Sequence, residues 1–326
     1  MKPAVKTITL AVFSIFAWSA AGSAHAQSEY PARPIRLIVG FAPGGGTDIV
    51  ARIVANKLDE AWRQRVIVDN RPGAGQIIAA ELTARATPDG YTVFMAAAGF
   101  TILPAFNKKL PFDPVRDFST IAMAARAPNV LVVSPSLGAR SVKDLITLAR
   151  AKPGQLSFGS GGVGAPSHVS GVLFGALGGI DVTHVPYKGS GPVMVDLLGG
   201  QLAMSFPDLA TPLSHIKAGR LLALAVTTRE RSALLPDVPT MAESGIPGYE
   251  ASSWFAMIGP AGMPKPVVAK LNAALNRILQ EPDVRNTLRA QGATAVGGSP
   301  AELASTISGE IAKWTKLMAK VGIKPE

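Results

Sequence analysis

The chain has 326 residues, of which 48% are hydrophobic and 17% are charged, and this composition excludes a largely disordered protein. It contains no cysteine, which excludes disulfides and thiolate metal sites. The formal net charge is +10, but Lys and Arg are scattered without a basic run. We therefore expect no nucleic-acid binding, and a small anion suits this charge better.

The N-terminal residues have the pattern of a secretory signal peptide. Lys2 and Lys6 precede an apolar stretch over about residues 8–21, and Ala24-His25-Ala26 forms an A-x-A cleavage site. A membrane anchor is the alternative, but the apolar stretch is short for a bilayer span and no second one follows. We therefore predict cleavage after Ala26 and a periplasmic, exported chain.

Strand-like runs alternate with helical patterns along the rest of the chain. In the first series we predict strands over 35–41, 66–69 and 91–97, and helices over 47–62 and 78–86. A second series begins near Asn129. Its predicted strands are 130–133, 156–159, 182–187, 202–206 and 221–227, and its helices begin at the Ser141 capping box and near Pro166, Gly191 and Pro212. A strand over 254–258 follows, and the remainder is predicted to be helical.

This alternation predicts an α/β protein with two domains, each a mostly parallel sheet flanked by helices. No low-complexity linker separates the two series, which is typical of a chain that crosses between its domains more than once. We place the crossings near Asn129 and Ser252. The first predicted domain therefore comprises residues 27–129 and 252–326, and the second comprises residues 130–251.

A glycine-rich loop, GFAPGGGTD over residues 40–48, lies between the first strand and the first helix. It is not a P-loop, because no Lys-Ser/Thr pair follows, and Ile49 stands where a dinucleotide fingerprint requires glycine. The free amides and the positive dipole end of the helix suit a small anion, such as a carboxylate. A tight turn that binds nothing remains the alternative.

A second loop of this kind runs from Ser157 to Pro166, between a strand and a helix of the second series. Ligands of open α/β sheets bind at the carboxyl ends of strands, where both loops lie. One such loop in each domain predicts a ligand cleft between the domains.

Ser160 and His168 are the residues that could serve as a nucleophile and its base. Ser160 lacks the G-x-S-x-G frame, because Phe158 stands where its first glycine is required. We expect His168 and His184 to be structural, and with His215 they show no metal-ligand spacing. We therefore expect no enzyme, no metal and no cofactor, with a Ser-dependent α/β enzyme as a remote alternative.

Segments along the whole chain after residue 26 resemble one known family. They include YPARPIRLIVGFAPGGGTDIVAR, DNRPGAG, PDGYTV, HVPYKGSGPVMVDLLGGQ and GPAGMPKPVVAKLNAAL. These look like the Bug family, the TctC-like periplasmic solute-binding proteins of tripartite tricarboxylate transporters. The resemblance implies a type II-like two-domain periplasmic-binding-protein fold with a hinge. It also implies a carboxylate ligand, such as a di- or tricarboxylate, an amino acid or an aromatic acid, held by the two glycine-rich loops.

The residues that match the family's loops are the candidate ligand-binding residues. The first loop contributes Phe41, Pro43, Gly44, Gly45, Gly46, Thr47 and Asp48. We expect Asp48 to brace the loop rather than touch the ligand, because two negative groups repel. The second loop contributes Ser160, Gly162, Val163, Gly164 and Ala165, and Gln76 and Asp208 complete the set.

The chain departs from the family pattern beside this expected pocket. Gly161 and Ala165 stand where Ser and Thr are usual, and Gln76-Ile77 stands where Gly-Asn is common. Phe206-Pro207-Asp208 stands where the family usually has Phe-Asp. These departures bear on the identity of the ligand more than on the fold.

The resemblance implies a monomeric binding protein that captures a small carboxylate and delivers it to the membrane components of a tripartite tricarboxylate transporter. The alternative is an exported sensor that presents a carboxylate to a two-component receptor.

Overall fold

The computed structural model describes residues 30–320 and residue 322. The predicted signal peptide and its cleavage site after Ala26 lie outside the described residues, so both stay predictions. None of the helices in the described part of the chain combines the length and the apolar character needed to cross a membrane.

Strands and helices alternate over the described residues, as the sequence predicts. The strands are β1 (Ile35–Val39), β2 (Val66–Asn70), β3 (Thr92–Ala97), β4 (Phe118–Pro128), β5 (Val130–Val133), β6 (Ser157–Ser160), β7 (Thr183–Pro186), β8 (Met204–Ser205), β9 (Leu222–Val226), β10 (Ser252–Pro260) and β11 (Thr294–Gly297). The α-helices are α1 (Gly46–Trp62), α2 (Ile77–Ala84), α3 (Gly99–Ile102), α4 (Val142–Ala151), α5 (Pro166–Gly178), α6 (Ser190–Leu198), α7 (Leu213–Lys217), α8 (Lys265–Gln280), α9 (Pro282–Ala290) and α10 (Pro300–Lys320).

The strands form two sheets, with the orders β11-β4-β10-β3-β1-β2 and β7-β6-β8-β5-β9. In the first sheet β1 is parallel to β2 and β3, whereas β10 is antiparallel to β3 and β4, and β11 is antiparallel to β4. In the second sheet β6 is parallel to β7 and β8, and β5 is antiparallel to β8 and β9. The α/β class is confirmed, but the sheets are mixed rather than mostly parallel.

The antiparallel strands arise from the way the chain passes between the sheets. Strand β4 leaves the first sheet and β10 returns to it, so these neighbours run in opposite directions. We call the six-stranded sheet with α1–α3 and α8–α10 the first lobe, and the five-stranded sheet with α4–α7 the second lobe. The chain changes sheet at Asn129 and again before Ser252, where the sequence placed its crossings. The exact domain boundaries stay a prediction.

Two elements differ from the sequence-based expectation. The longest strand, β4, has the sequence FSTIAMAARAP, whose alanines carry little strand preference. It forms because β10 pairs with it on one side and β11 on the other. The expectation that everything after residue 258 is helical is wrong at β11, which adds an edge strand between α9 and α10.

The last helix, α10, packs on the cores of both lobes. Its first half places Leu303 and Ile307 against a cluster that includes Phe94, Phe100 and Trp254 of the first lobe. Further along the helix, Trp314 and Met318 pack among buried residues of the second lobe. Each of these large side chains contributes about 1.5–3 kcal/mol on burial, so α10 stabilises the lobes together.

Asn129 and Thr227 connect the two crossing segments through buried hydrogen bonds. The Thr227 hydroxyl lies within hydrogen-bond distance of the carbonyl oxygens of Ala251 (2.6 Å) and Asn129 (2.9 Å), which share its one proton, and it accepts from the Asn129 backbone N–H at 3.1 Å. The Ser253 hydroxyl donates to the Asn129 side-chain oxygen at 2.7 Å. These bonds tie the two crossing segments to each other.

Candidate functional site

The first glycine-rich loop leads from β1 into α1 and is braced by Asp48. The Asp48 carboxylate accepts hydrogen bonds from the Gly44 amide, from Arg52 and from the Asn70 side chain, each at 3.0 Å. Burial alone would raise the pKa of Asp48, but these bonds outweigh it and hold the pKa below its usual value. Asp48 therefore fixes the loop, as the sequence led us to expect.

The start of α1 lies against Asp208 of the second lobe. A Cβ atom on Gly46 would lie only 2.1 Å from the Asp208 Oδ1 atom, so residue 46 must be glycine for reasons of space. The Asp208 carboxyl accepts hydrogen bonds from the Gly46 backbone N–H and from the Thr211 hydroxyl, the latter at 3.1 Å. Burial raises the pKa of Asp208, and these hydrogen bonds offset part of that rise.

The second glycine-rich loop leads from β6 into α5. Gly164 has φ +80°, a conformation that favours glycine, and its N–H donates to the His168 Nδ1 atom at 3.1 Å. The Gly161 N–H donates to the Ser167 hydroxyl, also at 3.1 Å. Ser167 and His168, in the first turn of α5, therefore fix the loop that precedes their own helix.

A third helix, α6, begins at Ser190 next to the first loop. The Ala42 N–H of the first lobe donates to the Lys188 carbonyl of the second lobe at 2.8 Å. A Cβ atom on Gly45 would lie 3.7 Å from the Ser190 side chain. The lobes are therefore in contact along this rim.

These loops enclose a cavity between the lobes with a volume of about 30 Å³. Its walls are Phe41, Gly45, Gly46, Thr47, Ala97, Gly161, Ala165, Pro166, Ser167, Ser190, Asp208, Ser253 and Phe255. The N-termini of α1, α5 and α6 all meet there. Each helix N-terminus is equivalent to roughly half a positive charge, and none of these described wall residues is Lys, Arg or His. Positive potential in the cavity therefore comes from backbone dipoles, with the hydroxyls of Thr47, Ser167, Ser190 and Ser253 in the walls.

Six of the predicted ligand-binding residues line this cavity: Phe41, Gly45, Gly46, Thr47, Ala165 and Asp208. The others lie nearby or face elsewhere. Pro43 and Gly44 are exposed on the rim, and Val163 is 48% exposed. Gly162 and Gly164 shape the second loop through positive φ angles. Gln76 is buried and pairs with both backbone groups of Ala97, a wall residue, at 3.1 and 3.3 Å. The assignment of these residues to ligand binding stays a prediction.

Seven wall residues were absent from the predicted set: Ala97, Gly161, Pro166, Ser167, Ser190, Ser253 and Phe255. Gly161, Pro166 and Ser167 continue the second loop, so the rule that anions bind at helix N-termini could have included them. Ser190 begins α6, and the same rule applies to it. Ala97, Ser253 and Phe255 come from β3 and β10, and their position follows only from the pairing of those strands.

Ser160 and the histidines form a buried cluster behind the second loop. Ser160 contacts the His184 Nε2 atom at 2.6 Å, and the His168 and His184 rings lie 4.1 Å apart. Burial lowers the pKa of His168 to about 3, with a further effect from the neighbouring His184, and burial lowers that of His184 to about 4. Ser160 is fully buried and is not a wall residue, so this contact braces the loop. Within the described residues, no group of three or more His, Cys, Asp or Glu side chains could hold a metal ion.

Residues 50–323 match the family model described as "Tripartite tricarboxylate transporter family receptor", TctC. The chain belongs to the TctC family. Among its relatives, BugT of Bordetella pertussis is 38% identical over 325 residues, covering 98% of each chain. TctC proteins are solute-binding proteins rather than enzymes.

Two solved structures support the same assignment. Rhodopseudomonas palustris Rpa4515, solved with adipate, is 37% identical with a TM-score of 0.89, covering 91% of this chain and 100% of its own. MatC (Rpa3494) from R. palustris, solved with bound malate, is 31% identical with a TM-score of 0.85, covering 88% and 99%. The fold, the Bug/TctC family and the solute-binding class predicted from the sequence are thereby confirmed.

Proposed function

We propose that this TctC protein captures a small carboxylate in the cavity between its lobes. The observation that carries the proposal is the convergence of the α1, α5 and α6 N-termini on that cavity. A hydrogen bond to a charged group contributes about 1.5–3 kcal/mol. Two or three such bonds from loop amides and hydroxyls reach the range of micromolar binding once the costs of association are met.

The ligands of the solved relatives agree with this proposal. Rpa4515 was solved with adipate and MatC with malate, and both are carboxylates. Recognition through backbone amides and hydroxyls would suit many carboxylates, because these groups bind only the anionic carboxylate. The rest of the ligand would contact other residues of the cavity wall. We infer that Phe41 and Phe255, the aromatic wall residues, contact the carbon chain.

Ligand entry requires the lobes to separate. The cavity volume of about 30 Å³ leaves little free space, and the Ala42–Lys188 hydrogen bond joins the lobes across its rim. The chain crosses between the sheets at Asn129 and before Ser252, so rotation about these two crossings would open the cavity. We propose a hinge there, with closure after the ligand binds.

The binding experiment is a thermal-shift screen of mono-, di- and tricarboxylates, followed by calorimetry on the compounds that stabilise the protein. The matched control for each carboxylate is its neutral amide, such as adipamide for adipate. We expect the carboxylates to bind and the amides to bind at least about tenfold more weakly, because only an anion interacts with helix dipoles in this way. Equal affinity for both would contradict the proposal.

We further propose that the chain is exported to the periplasm after cleavage behind Ala26, and that it acts as a monomer with the membrane components of a tripartite tricarboxylate transporter. The intact mass of periplasmic protein tests the cleavage. The alternative partner is a two-component receptor. Deleting the membrane components should abolish uptake of the ligand, whereas unchanged uptake with a lost transcriptional response to that ligand would favour the sensor.

A further inference from the structure

Asp208 is the one ionisable side chain among the described wall residues of the cavity. It is 9% exposed, and its partners are backbone N–H groups and the Thr211 hydroxyl. Among the ion pairs of the described residues, none includes Asp208. A buried carboxylate without a cation therefore faces the space where a ligand would bind.

This carboxylate changes the charge that the cavity offers to a ligand. The three helix N-termini contribute roughly 1.5 positive charges in total, and one ionised carboxylate offsets about two thirds of that. Asp208 also accepts from the Gly46 N–H, so it uses the first amide of α1. A ligand carboxylate is left with the remaining amides at the starts of α1, α5 and α6 and the hydroxyls around them.

Asp208 lines the same cavity as Ser167 and Ser190. An anion held there by these two serines would share the closed cavity with the Asp208 carboxyl. Two carboxylates in one buried site repel, unless a proton or a donor lies between them. An ammonium or hydroxyl group next to the ligand carboxylate would supply that donor.

We propose that the ligand is an amino or hydroxy carboxylate, whose ammonium or hydroxyl group donates to Asp208. This inference rests on the proposed function, since it assumes that a carboxylate enters the cavity. Asp208 would then determine specificity by favouring substituted acids and disfavouring the unsubstituted acids of the same length.

The test compares matched acids of three to six carbons by calorimetry at pH 7.5. Each set contains an unsubstituted, a hydroxy and an amino acid, such as propionate, lactate and alanine, or succinate, malate and aspartate. We expect the parent protein to bind a substituted acid at least about tenfold more tightly than its unsubstituted counterpart, which is the size of one charge-assisted hydrogen bond.

The variant Asp208→Asn keeps the size of the side chain and removes its charge. It should bring the two affinities to within about threefold of each other. One control should keep the parent's preference: Asp237→Asn, which removes an exposed carboxylate elsewhere. Circular dichroism checks the fold of each variant.

The outcomes separate the two proposals. If the unsubstituted acid of a set binds the parent as tightly as the substituted ones, the inference is wrong and carboxylate capture stands. The same holds if folded Asp208→Asn keeps the parent's preference. If no acid of any set binds, the proposed function itself is wrong. If the Asp208 variant does not fold, the order of affinities that the parent protein shows within each set of acids still tests the inference.

Discussion

The buried histidine pair should make the protein lose stability in mild acid. His168 and His184 have pKa values of about 3 and about 4 in the folded protein, against about 6.5 in an unfolded chain. Between these values the unfolded state binds protons that the folded state does not. Stability is therefore fully present above about pH 6.5 and falls as the pH is lowered toward the folded pKa values.

The size of this effect follows from the two pKa differences. Each histidine costs up to about 1.4 kcal/mol per pH unit. The gradual titration of the unfolded chain and the solvent screening of the partly exposed His184 reduce the sum for both to about 3 kcal/mol between pH 7 and pH 5. That is a large part of the 5–15 kcal/mol typical of folded proteins. The carboxylates with lowered pKa values, such as Asp48, stay ionised between pH 7 and pH 5 and add little to this loss of stability.

Urea unfolding at pH 7, 6 and 5, in buffers free of carboxylates, measures the fall. The double variant His168→Asn, His184→Gln keeps polar partners for Gly164 and Ser160 but cannot titrate, so it should lose less than half as much stability as the parent. His215→Gln measures the contribution of the third described histidine, whose pKa is also lowered by burial. An equal fall in the parent and the double variant would refute this reasoning.

Three further predictions concern the cavity and the crossings. Gly45→Val should abolish carboxylate binding in calorimetry by filling the cavity, and Gly164→Val should do so by straining a backbone φ of +80°. The control Gly309→Val, on α10, should bind like the parent. Small-angle scattering should show a smaller radius of gyration with a saturating ligand, and an unchanged curve would argue against closure. Thr227→Val should lower the free energy of unfolding by about 1–3 kcal/mol, because it removes the hydrogen bonds that join the crossings; Thr228→Val, with its single exposed bond, should change it by less than about 0.5 kcal/mol.

The sequence predicted best those elements whose signals are local. Strand β1 is a short apolar run, and α1 follows glycines with an acid in its first turn. The Ser141 capping box is formed as predicted, since the Ser141 hydroxyl accepts from the Asp144 N–H at 3.1 Å. Strand β4 carries no such signal, because its alanines suit a helix equally well and only pairing with β10 and β11 makes it extended.

The site residues that the sequence predicted are likewise those with local signals. Both glycine-rich loops were identified because each lies between one strand and the next helix. Ser253 and Phe255 could not be found in this way, since β10 reaches the cavity only after the chain has returned from the second lobe. The partner of Ser160 was also not evident from the sequence: the alignment of β6 with β7 places His184, rather than His168, against its hydroxyl.

Two aspartates meet the start of α1, and their surroundings give them different roles. Asp48 is held by Arg52 and Asn70, so its charge is neutralised on the outer side of the loop. Asp208 has amides and a hydroxyl but no cation, and it faces the cavity from the other lobe. When the lobes separate, Asp208 loses the Gly46 N–H and the positive end of α1 while water returns to it. The Asp208 carboxylate would therefore be buried only in the closed state. Closure over an acid that has no ammonium or hydroxyl group would then cost more free energy than closure over an acid that has one.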